Sequence, residues 1–281
     1  MIEGFYHDGS LLFDEDGRNY IVYGNDEIWI TELNEDLTAP KKDGLHRLLV
    51  SDHKNPELGY EGSHIQKING YYYIFLVHSL RDRWMRTEAC FYSDSLEGEF
   101  TGGDVLCDDR GYCGQGVAQG GIVDTPDGKW YAMLFQDSGA VGRIPILLPV
   151  TWKDHFPFFG QNGHVPEEIE VHSTRPGYIY QPLVGSDDFC NGLLPRWQFN
   201  HDPDPRYYHL DALQGTYTIT TREVCTELTQ AVNTLTQRMS YPSCAAEVTV
   251  DASALKEGDV AGLCALQSCY AAVGITNIME I

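Results

Sequence analysis

Short apolar runs separated by glycine-containing turns dominate the first two thirds of the chain. The runs at residues 19–23, 71–77 and 130–135 are rich in β-branched and aromatic residues, and each closely follows an Asp-Gly or Asn-Gly pair. Runs flanked by such turns are typical of antiparallel β-hairpins. No window longer than about ten residues shows the 3.6-residue apolar spacing of a helix. The pattern therefore predicts an all-β protein with few helices.

A hairpin motif recurs three times, with its turn glycine at Gly17, Gly70 and Gly128. The intervals between these glycines are 53 and 58 residues. Periods of this size, built from several short antiparallel strands, are typical of propeller blades. A single β-sandwich with similar hairpins is the alternative, and the regular interval favours the propeller.

The same repeat aligns three polar residues. Counting back nine residues from each turn glycine reaches Asp8, Glu61 and Gln119. In a propeller the innermost strand of each blade lines the central channel, so equivalent positions in successive blades face one axis. Each of these carboxylates, taken alone, is most simply an exposed turn residue. The shared position instead predicts that these three side chains converge on one concave site.

The pattern changes after about residue 175, where the turn-glycine repeat ends and residues 176–185 contain the prolines and glycine of a linker. Beyond the linker, short alternating segments and turns are consistent with a β-sandwich. Three strand-like segments stand out there: 216–220, 246–250 and 271–275. We predict a propeller domain over residues 1–175, a linker over 176–185 and a partial β-sandwich domain over 186–281.

Charge excludes several classes of partner. The 281 residues include 41 Asp and Glu against 19 Lys and Arg, a formal net charge of -22. Such an acidic surface repels phosphate groups and anionic lipid heads, so neither nucleic acid nor a membrane is expected as a partner. No apolar run approaches the ~18 residues that a membrane-spanning helix requires. Aromatic residues make up 12% of the chain and suit both core packing and sugar binding.

The eight cysteines show neither Cys-x-x-Cys spacing nor paired histidine ligands, so no structural zinc site is predicted. Phosphate-binding loops, serine-hydrolase elbows and zinc-protease motifs are also missing from the sequence, and we expect neither a metal nor a cofactor. The first residues lack the basic and apolar segments of a secretory signal. We expect reduced thiols in a cytoplasmic protein, and secretion stays open because the chain could lack its original N-terminus.

Several segments, taken in order, resemble glycoside hydrolase family 43. Residues 6–17 resemble the Asp-Pro-Ser-containing motif of that family's second blade, and Glu-Gly-Ser-His at 61–64 resembles its Glu-Gly-Pro-His motif. Residues 115–145 are similar to a later blade of its xylosidase-like members. Segments within residues 186–238 resemble the concanavalin-like sandwich at the C-terminus of those members.

The resemblance implies a five-bladed propeller that hydrolyses terminal xylosyl or arabinofuranosyl bonds of plant hemicellulose with inversion of configuration. Three carboxylates act in that family: a general base, a general acid, and a third that orients the acid and modulates its pKa. By motif, Glu61 matches the general acid and Asp8 matches the pKa modulator. The base belongs to a blade before Asp8, and only seven residues precede Asp8 here. We therefore expect a chain truncated at both ends that lacks the base and hydrolyses poorly.

Asp8 as the base is the alternative. Its interval of one blade from Glu61 argues against this, since base and acid are separated by an intervening blade in the family. An inverting enzyme also needs its acid and base carboxyls ~6.5–9.5 Å apart, to admit water. A glutamic acid stays protonated at neutral pH only when burial or a nearby negative charge favours the proton, and Asp8 is expected to supply that charge.

Three further residues are candidates for substrate binding. Gln119 occupies a position where many family members have histidine, and its amide would contact the sugar or channel water. Arg143 lies in an apolar strand, where it would need a site carboxylate or a sugar hydroxyl as its partner. Trp84, in a loop-like stretch together with Arg86, could form a sugar platform. Packing roles remain open for Gln119 and Trp84.

The expected partner is a xylo- or arabino-oligosaccharide, and the sequence leaves open which of the two sugars is preferred. Two other interpretations also stay open. One is a non-catalytic carbohydrate-binding propeller, and the other is a defective gene product whose open propeller exposes unpaired strand edges. Formation of a homo-oligomer is left open as well.

Overall fold

The structure is a computed structural model that describes residues 4–171, 173, 175–240, 243–267 and 269–278. It consists of two compact units. The first comprises Met1–Gly139 with Arg143–His172, and the second comprises Ala140–Gly142 with Ser173–Ile281. Within the described ranges there are eighteen β-strands and two short 3-10 helices, and no α-helix. The prediction of an all-β chain with few helices is confirmed.

Three four-stranded antiparallel sheets build the first unit, and in each of them the strands lie side by side in chain order. Sheet I contains β1 (Ser10–Phe13), β2 (Asn19–Asn25), β3 (Glu27–Leu33) and β4 (His46–Ser51). Sheet II contains β5 (Glu61–Ile68), β6 (Tyr71–Ser79), β7 (Arg86–Ser93) and β8 (Thr101–Leu106). Sheet III contains β9 (Ala118–Asp124), β10 (Trp130–Asp137), β11 (Arg143–Lys153) and β12 (Phe156–Phe159).

The predicted apolar runs are the second strands of these sheets, β2, β6 and β10, which confirms them as strands. Each follows the predicted turn, but the turns differ in length. Asn69 and Gly70 form a two-residue turn in sheet II, with φ of 50° and 84°, as the type I′ hairpin turn requires. The turns of sheets I and III span five residues, 14–18 and 125–129.

Two apolar cores hold the sheets together. β5 contacts β1 and β2 on one side and β9 on the other, so the inner strands of successive sheets adjoin. The core between sheets I and II includes the buried side chains of Tyr20, Val22, Ile28, Ile65, Ile74 and Leu76. The core between sheets II and III includes those of Tyr73, Phe75, Leu106, Ile122, Leu134, Leu148 and Phe159. This side-by-side packing is the arrangement of propeller blades.

A β-bulge opens the inner strand of sheet II. Glu61 pairs with Val77, whereas His64 pairs with Phe75, so residues 62–63 oppose a single residue of β6. Such an insertion shifts which side chains share a face of the sheet. Glu61 and His64 therefore lie on the same face, although simple alternation would separate them.

The same bulge opens sheet III, where Ala118 pairs with Phe135 and Gly121 pairs with Met133. In sheet I, Ser10 pairs with Val22.

The backbone N–H of Gly24 donates to the carbonyl of His7 at 3.0 Å. The step from His7 to Ser10 is therefore one residue longer than the facing step from Gly24 to Val22, which is the same extra residue as in sheets II and III. The inner strands of all three sheets therefore begin alike.

This register corrects the predicted alignment of three equivalent side chains. Asp8 and Gln119 are equivalent to Gly62, one residue beyond Glu61. The residue count failed because the turn of sheet II is shorter than the turns of the other two sheets. The three equivalent residues share a left-handed backbone, with φ of 45° at Asp8, 66° at Gly62 and 71° at Gln119.

In the described part of the second unit, the strands form three two-stranded antiparallel pairs. They are β13 (Gln198–Phe199) with β16 (Leu235–Thr236), β14 (Tyr208–Asp211) with β15 (Thr216–Ile219), and β17 (Val260–Leu266) with β18 (Tyr270–Thr276). The indole of Trp197 donates to Asp187 at 2.8 Å and stacks on Phe189 with ring centroids 5.9 Å apart. The ring of Phe189 lies equally close to that of Tyr217.

Two of the three strands predicted in this part of the chain coincide with β15 and β18. The strand predicted at residues 246–250 is wrong, because these mostly exposed residues have no β-partner among the residues that the structure describes. Alternation of apolar and polar residues favours a strand only where a neighbouring strand supplies hydrogen bonds. The predicted boundaries at 175 and 185 stay predictions.

All eight cysteines are free thiols. Within the described ranges, no helix has the length and apolar character needed to cross a membrane.

Candidate functional site

Three polar side chains meet where the inner strands of sheets I and II begin. Nε2 of His7 lies 3.3 Å from Oε2 of Glu61 and 3.6 Å from Oδ2 of Asp8. One ligand atom from each residue lies within 4.8 Å of the others. Two of the predicted site residues, Asp8 and Glu61, are thus brought together, with His7 between them.

Local backbone geometry places these groups. The Ser63 hydroxyl bonds to the carbonyl oxygens of Asp8 at 2.8 Å and Val22 at 2.9 Å, which ties the bulge of sheet II to sheet I. Asp8 adopts the left-handed conformation that aspartate tolerates better than most residues. The two carboxyl groups meet because both backbones are held across the junction of the sheets.

Asn25 completes the contacts of Glu61. Its Nδ2 donates to Oε2 of Glu61 at 3.0 Å and lies 3.5 Å from Nε2 of His7. The side chains of His7, Asp8 and Glu61 remain 33%, 37% and 21% exposed. A ligand approaching from solvent can therefore reach the group.

Gln119, the third predicted residue, lies beside this group on sheet III. A Cβ placed on Gly62 would lie 2.6 Å from Nε2 and 2.7 Å from Cδ of Gln119. Only glycine at position 62 therefore leaves room for the amide. The backbone N–H of Gln119 donates to Oε2 of Glu88 at 2.6 Å.

A cationic network lies at the junction of sheets II and III. Arg86 is buried and donates to Asp137 at 2.8 Å, while Arg143 donates to the other oxygen of Asp137 at 3.2 Å. Both guanidinium groups stack on Phe135, at 4.7 and 4.4 Å from its ring centre. Burial lowers the pKa of Arg86, whereas the charges of Asp137, Glu88 and Glu61 oppose that shift.

The predicted carboxylate partner of Arg143 is therefore Asp137. Arg143 begins the apolar strand β11, as expected, but its side chain is 63% exposed rather than buried. The odd-numbered residues at this end of β11 point away from the core, and the guanidinium reaches solvent past Phe135.

Trp84 lies in the loop between β6 and β7, 40% exposed. It packs against Gly114, where a Cβ would come within 3.2 Å of Cδ1 of the indole. None of the described contacts joins Trp84 to His7, Asp8 or Glu61. Its predicted role as a sugar platform stays a prediction.

His64 extends the polar group along β5, on the same face as Glu61. Although part of the residue is exposed, desolvation lowers the pKa of His64, and the charge of Asp8 opposes this shift. The imidazole is therefore neutral at neutral pH, when it both donates and accepts hydrogen bonds.

The group of His7, Asp8 and Glu61 has the ligand types of a divalent-cation site. Exposed acidic groups often lie together without an ion, and no second observation points to one here. We therefore assign no metal to these residues.

Sequence reasoning missed four contributors to the site: His7, Asn25, Glu88 and Asp137. Two signals were available. His7 directly precedes Asp8, and Glu88 is a charged residue within a strand that is otherwise largely buried. The contacts of Asn25 and Asp137 depend on how the sheets pack, which no local pattern reveals.

Two family models match the chain, one in each of the two units. The family model of the glycosyl hydrolases family 43 matches residues 1–157. That of the β-xylosidase C-terminal concanavalin A-like domain matches residues 186–280.

Individual relatives give the same picture. A putative β-xylosidase of Xylanibacter ruminicola is 26% identical over 96% of this chain and 51% of its own length. A structure described as a bifunctional GH43-CE protein of Bacteroides eggerthii is 40% identical, with a TM-score of 0.80 over 97% of this chain and 35% of that one.

A third relative is a GH43 glycoside hydrolase whose active site was engineered to display both endo-xylanase and exo-arabinofuranosidase activity. It is 26% identical, with a TM-score of 0.77 over 99% of this chain and 53% of its own. The chain thus spans about a third to a half of the length of these relatives. The predicted fold class is confirmed: sheets I to III are blades of a five-bladed propeller type, followed by a concanavalin-like domain.

Proposed function

Because the chain belongs to glycosyl hydrolase family 43, whose model matches residues 1–157, we propose that Glu61 and Asp8 act together in cleaving terminal xylosyl or arabinofuranosyl bonds of plant hemicellulose. The family resemblance drawn from the motifs is confirmed. The observation that carries the proposal is the meeting of Asp8, His7 and Glu61 within 4.8 Å at an accessible junction of two blades.

Glu61 is the proposed general acid. Asn25 donates to its Oε2, and Nε2 of His7 lies within hydrogen-bond distance of the same oxygen. The described hydrogen bonds thus leave Oε1 for the leaving-group oxygen. Protonation of that oxygen is what allows a sugar alkoxide to depart, and a positioned acid contributes typically 10²–10⁴-fold to the rate.

Asp8 is the proposed modulator of Glu61. A water-activating base must lie ~6.5–9.5 Å from the acid, and a nucleophile must face the acid across the sugar. One oxygen of Asp8 lies within 4.8 Å of an oxygen of Glu61, and this proximity supports a role beside the acid rather than the first role. Nε2 of His7 lies 3.6 Å from Asp8 and 3.3 Å from Glu61, which supports placing both carboxyls on the same side of the sugar. A position on the same side of the sugar as Glu61 instead fits the modulator role that the family motif gives to Asp8.

Inversion requires a base that neither Asp8 nor Glu61 supplies in this arrangement. We therefore propose that the 281 residues on their own bind the sugar and hydrolyse it slowly. Gln119 and Arg143 are the proposed polar contacts to the sugar. The described contacts leave the terminal nitrogens of Arg143 for a ligand, and the Gln119 amide lies next to the bulge that carries Glu61. Trp84 is proposed as a more distant sugar platform.

The test compares xylosides that differ in their need for an acid. We expect Glu61→Gln to slow the hydrolysis of xylobiose about 10²-fold or more, because its poor leaving group needs protonation. The same variant should cleave 2,4-dinitrophenyl xyloside nearly as fast as the parent chain, because that leaving group departs without a proton. Glu99→Gln, which changes an exposed glutamate in the loop between β7 and β8, is the matched control. Arabinofuranosides with the same leaving groups identify the sugar.

Each outcome has a distinct meaning. Equal losses on both substrates would contradict the acid role of Glu61. Near-normal turnover by the parent chain that Glu61→Gln abolishes would show that a base is present after all. Calorimetric binding of xylo-oligosaccharides without turnover, unchanged by Glu61→Gln, would instead support a carbohydrate-binding propeller. A chain that neither binds nor cleaves these ligands would overturn the proposal.

A further inference from the structure

Glu88 is a buried carboxyl group that the proposed reaction does not use. It lies on β7, with 0% of its surface exposed. In the register of sheet II, Glu61 pairs with Val77 and Val77 pairs with Glu88. Glu88 therefore lies two strands away from the proposed acid, on the same face of the sheet.

Its environment is poorly suited to a carboxyl group. Oε2 accepts a hydrogen bond from the backbone of Gln119, whereas Oε1 has no partner within the described part of the chain. Burial raises the pKa of Glu88 well above its usual value. A buried polar group with an unsatisfied oxygen destabilises a fold relative to an apolar side chain of the same size. Stability alone therefore does not account for a glutamate here.

The single hydrogen bond of Glu88 falls on a special backbone position. Gln119 is the left-handed residue of the bulge in β9, with φ of 71°. The extra residue of a bulge loses its partner in the ladder, and a buried N–H without a partner is rarely tolerated. Glu88 supplies that partner from the neighbouring sheet. In the equivalent position of sheet II the chain has Gly62, which adopts a positive φ without strain.

The position of the Gln119 side chain depends on this backbone. Its amide packs on Gly62, at a distance that only glycine allows, and Gly62 is bonded directly to Glu61. A backbone of Gln119 that relaxed out of the left-handed region would turn the amide away from this contact.

We infer that Glu88 is a positioning residue, whose buried carboxyl holds the backbone of Gln119 and thereby sets the Gln119 amide beside Glu61 to contact the sugar. This inference rests on the proposed function for the sugar contact, but not for the link between Glu88 and Gln119. It predicts that an acceptor oxygen at residue 88 is needed to hold the backbone of Gln119, whereas a negative charge there is not.

The first experiment measures that link without a sugar. Hydrogen exchange of the Gln119 backbone amide should be about tenfold faster in Glu88→Leu, because one hydrogen bond is lost. Glu88→Gln keeps an acceptor of the same shape and should stay within about threefold of the parent chain. Should Glu88→Leu fail to fold, as judged by circular dichroism, Glu88→Ala takes its place. Unchanged exchange in the folded variant would overturn the inference.

The second experiment measures binding of xylotriose by calorimetry. Glu88→Leu and Gln119→Ala should each weaken binding about tenfold, and the double variant should be no weaker than Gln119→Ala, because residues that act through one another are not additive. Glu88→Gln should restore the affinity. Additive losses would overturn the inference. If the parent chain binds no saccharide, the proposed function fails, and the exchange experiment still decides whether Glu88 holds Gln119.

Discussion

Asn25 donates a hydrogen bond of 3.0 Å from its Nδ2 to Oε2 of Glu61, and so links the last residue of β2 to the first residue of β5. The proposed proton donor is therefore held from the neighbouring blade as well as from its own. A glutamate side chain has several rotatable bonds, so a contact of this kind selects one orientation out of many.

Replacing Asn25 should therefore affect proton donation more than sugar binding. We expect Asn25→Ala to slow xylobiose hydrolysis about tenfold, at the low end of what a misplaced acid loses, with little change for 2,4-dinitrophenyl xyloside. The affinity for xylotriose, measured by calorimetry, should stay the same. Asn191→Ala, at an exposed position of the second unit, is the control. Equal losses on both xylosides would mean that Asn25 does not act through Glu61.

The titration of His64 reports on Asp8. Desolvation lowers the pKa of His64, and Asp8 is the charged group that opposes this. Asp8→Asn removes the opposing charge, so the pKa of His64 should fall further. The ring protons of His64, followed by NMR between pH 4 and 8 (a range that brackets the ordinary histidine value of ~6.5), measure the change. Asp16→Asn, at an exposed turn, should leave the titration unchanged, and an identical curve for Asp8→Asn would contradict the prediction.

Asp14 should make the fold sensitive to acid. Its side chain is 1% exposed and lies 2.6 Å from Nζ of Lys67 across the junction of sheets I and II. Burial alone would raise the pKa of Asp14, but hydrogen bonds from Lys67, from Tyr72 and from the backbone of Glu15 outweigh it and lower the pKa. A carboxyl group whose pKa is lower in the folded state than in the unfolded state stabilises the fold at pH values above its unfolded pKa of ~3.9. That stability is lost as the pH falls through the folded-state pKa.

We therefore expect Asp14→Asn to reduce the free energy of unfolding at pH 7 by about 1–3 kcal/mol, since Lys67 and Tyr72 lose a charged acceptor. The difference from the parent chain should shrink as the pH falls below about 4, where Asp14 itself becomes protonated. Urea denaturation at pH 7, 5 and 3.5 measures both effects. A constant difference at every pH would show that the charge of Asp14 does not matter.

Local sequence signals were sufficient to predict the hairpins. The Asn-Gly turn before β6 and the aromatic run that follows it determine a strand on either side, because turn chemistry and β-propensity agree there. The three repeated sheets followed from the spacing of the turn glycines, whereas the five-bladed type came from the family resemblance. The alignment of residues across blades failed by one position at Glu61, because the turn of sheet II has two residues and those of sheets I and III have five. Turn length cannot be read from glycine spacing alone.

The candidate site was predictable only in part, for a similar reason. Asp8 and Glu61 lie next to recognisable turns and motifs, and the structure brings them together. His7, Asn25 and Asp137 join them through contacts between blades, which depend on how twisted sheets pack. The strand predicted at residues 246–250 failed because a strand-like pattern forms a strand only where a second strand pairs with it.

The pair of Arg86 and Asp137 supplies the last prediction. Arg86 is 5% exposed, and Asp137 offers the nearest described carboxylate to its guanidinium, 2.8 Å from Nη1. Asp137→Asn removes the carboxylate that is ion-paired with this buried cation, and we expect it to reduce the free energy of unfolding by about 2–3 kcal/mol, because breaking the pair of a buried charge is strongly destabilising. Arg143→Ala should change that free energy by less than about 0.5 kcal/mol, since substitutions at exposed positions rarely do more.

Removing both charges of the pair distinguishes the effect of ion pairing from that of side-chain packing. Arg86→Met combined with Asp137→Leu should recover much of the stability that Asp137→Asn loses, because a well-packed apolar pair of similar volume replaces an ion pair at little net cost. Urea denaturation at pH 7 measures all four proteins. Unfolding of Asp137→Asn at the same urea concentration as the parent chain would contradict this prediction. It would mean that water already solvates Arg86 past the partly exposed Asp137. The pair would then not contribute to stability, and its remaining role would be to hold Arg143 for a ligand.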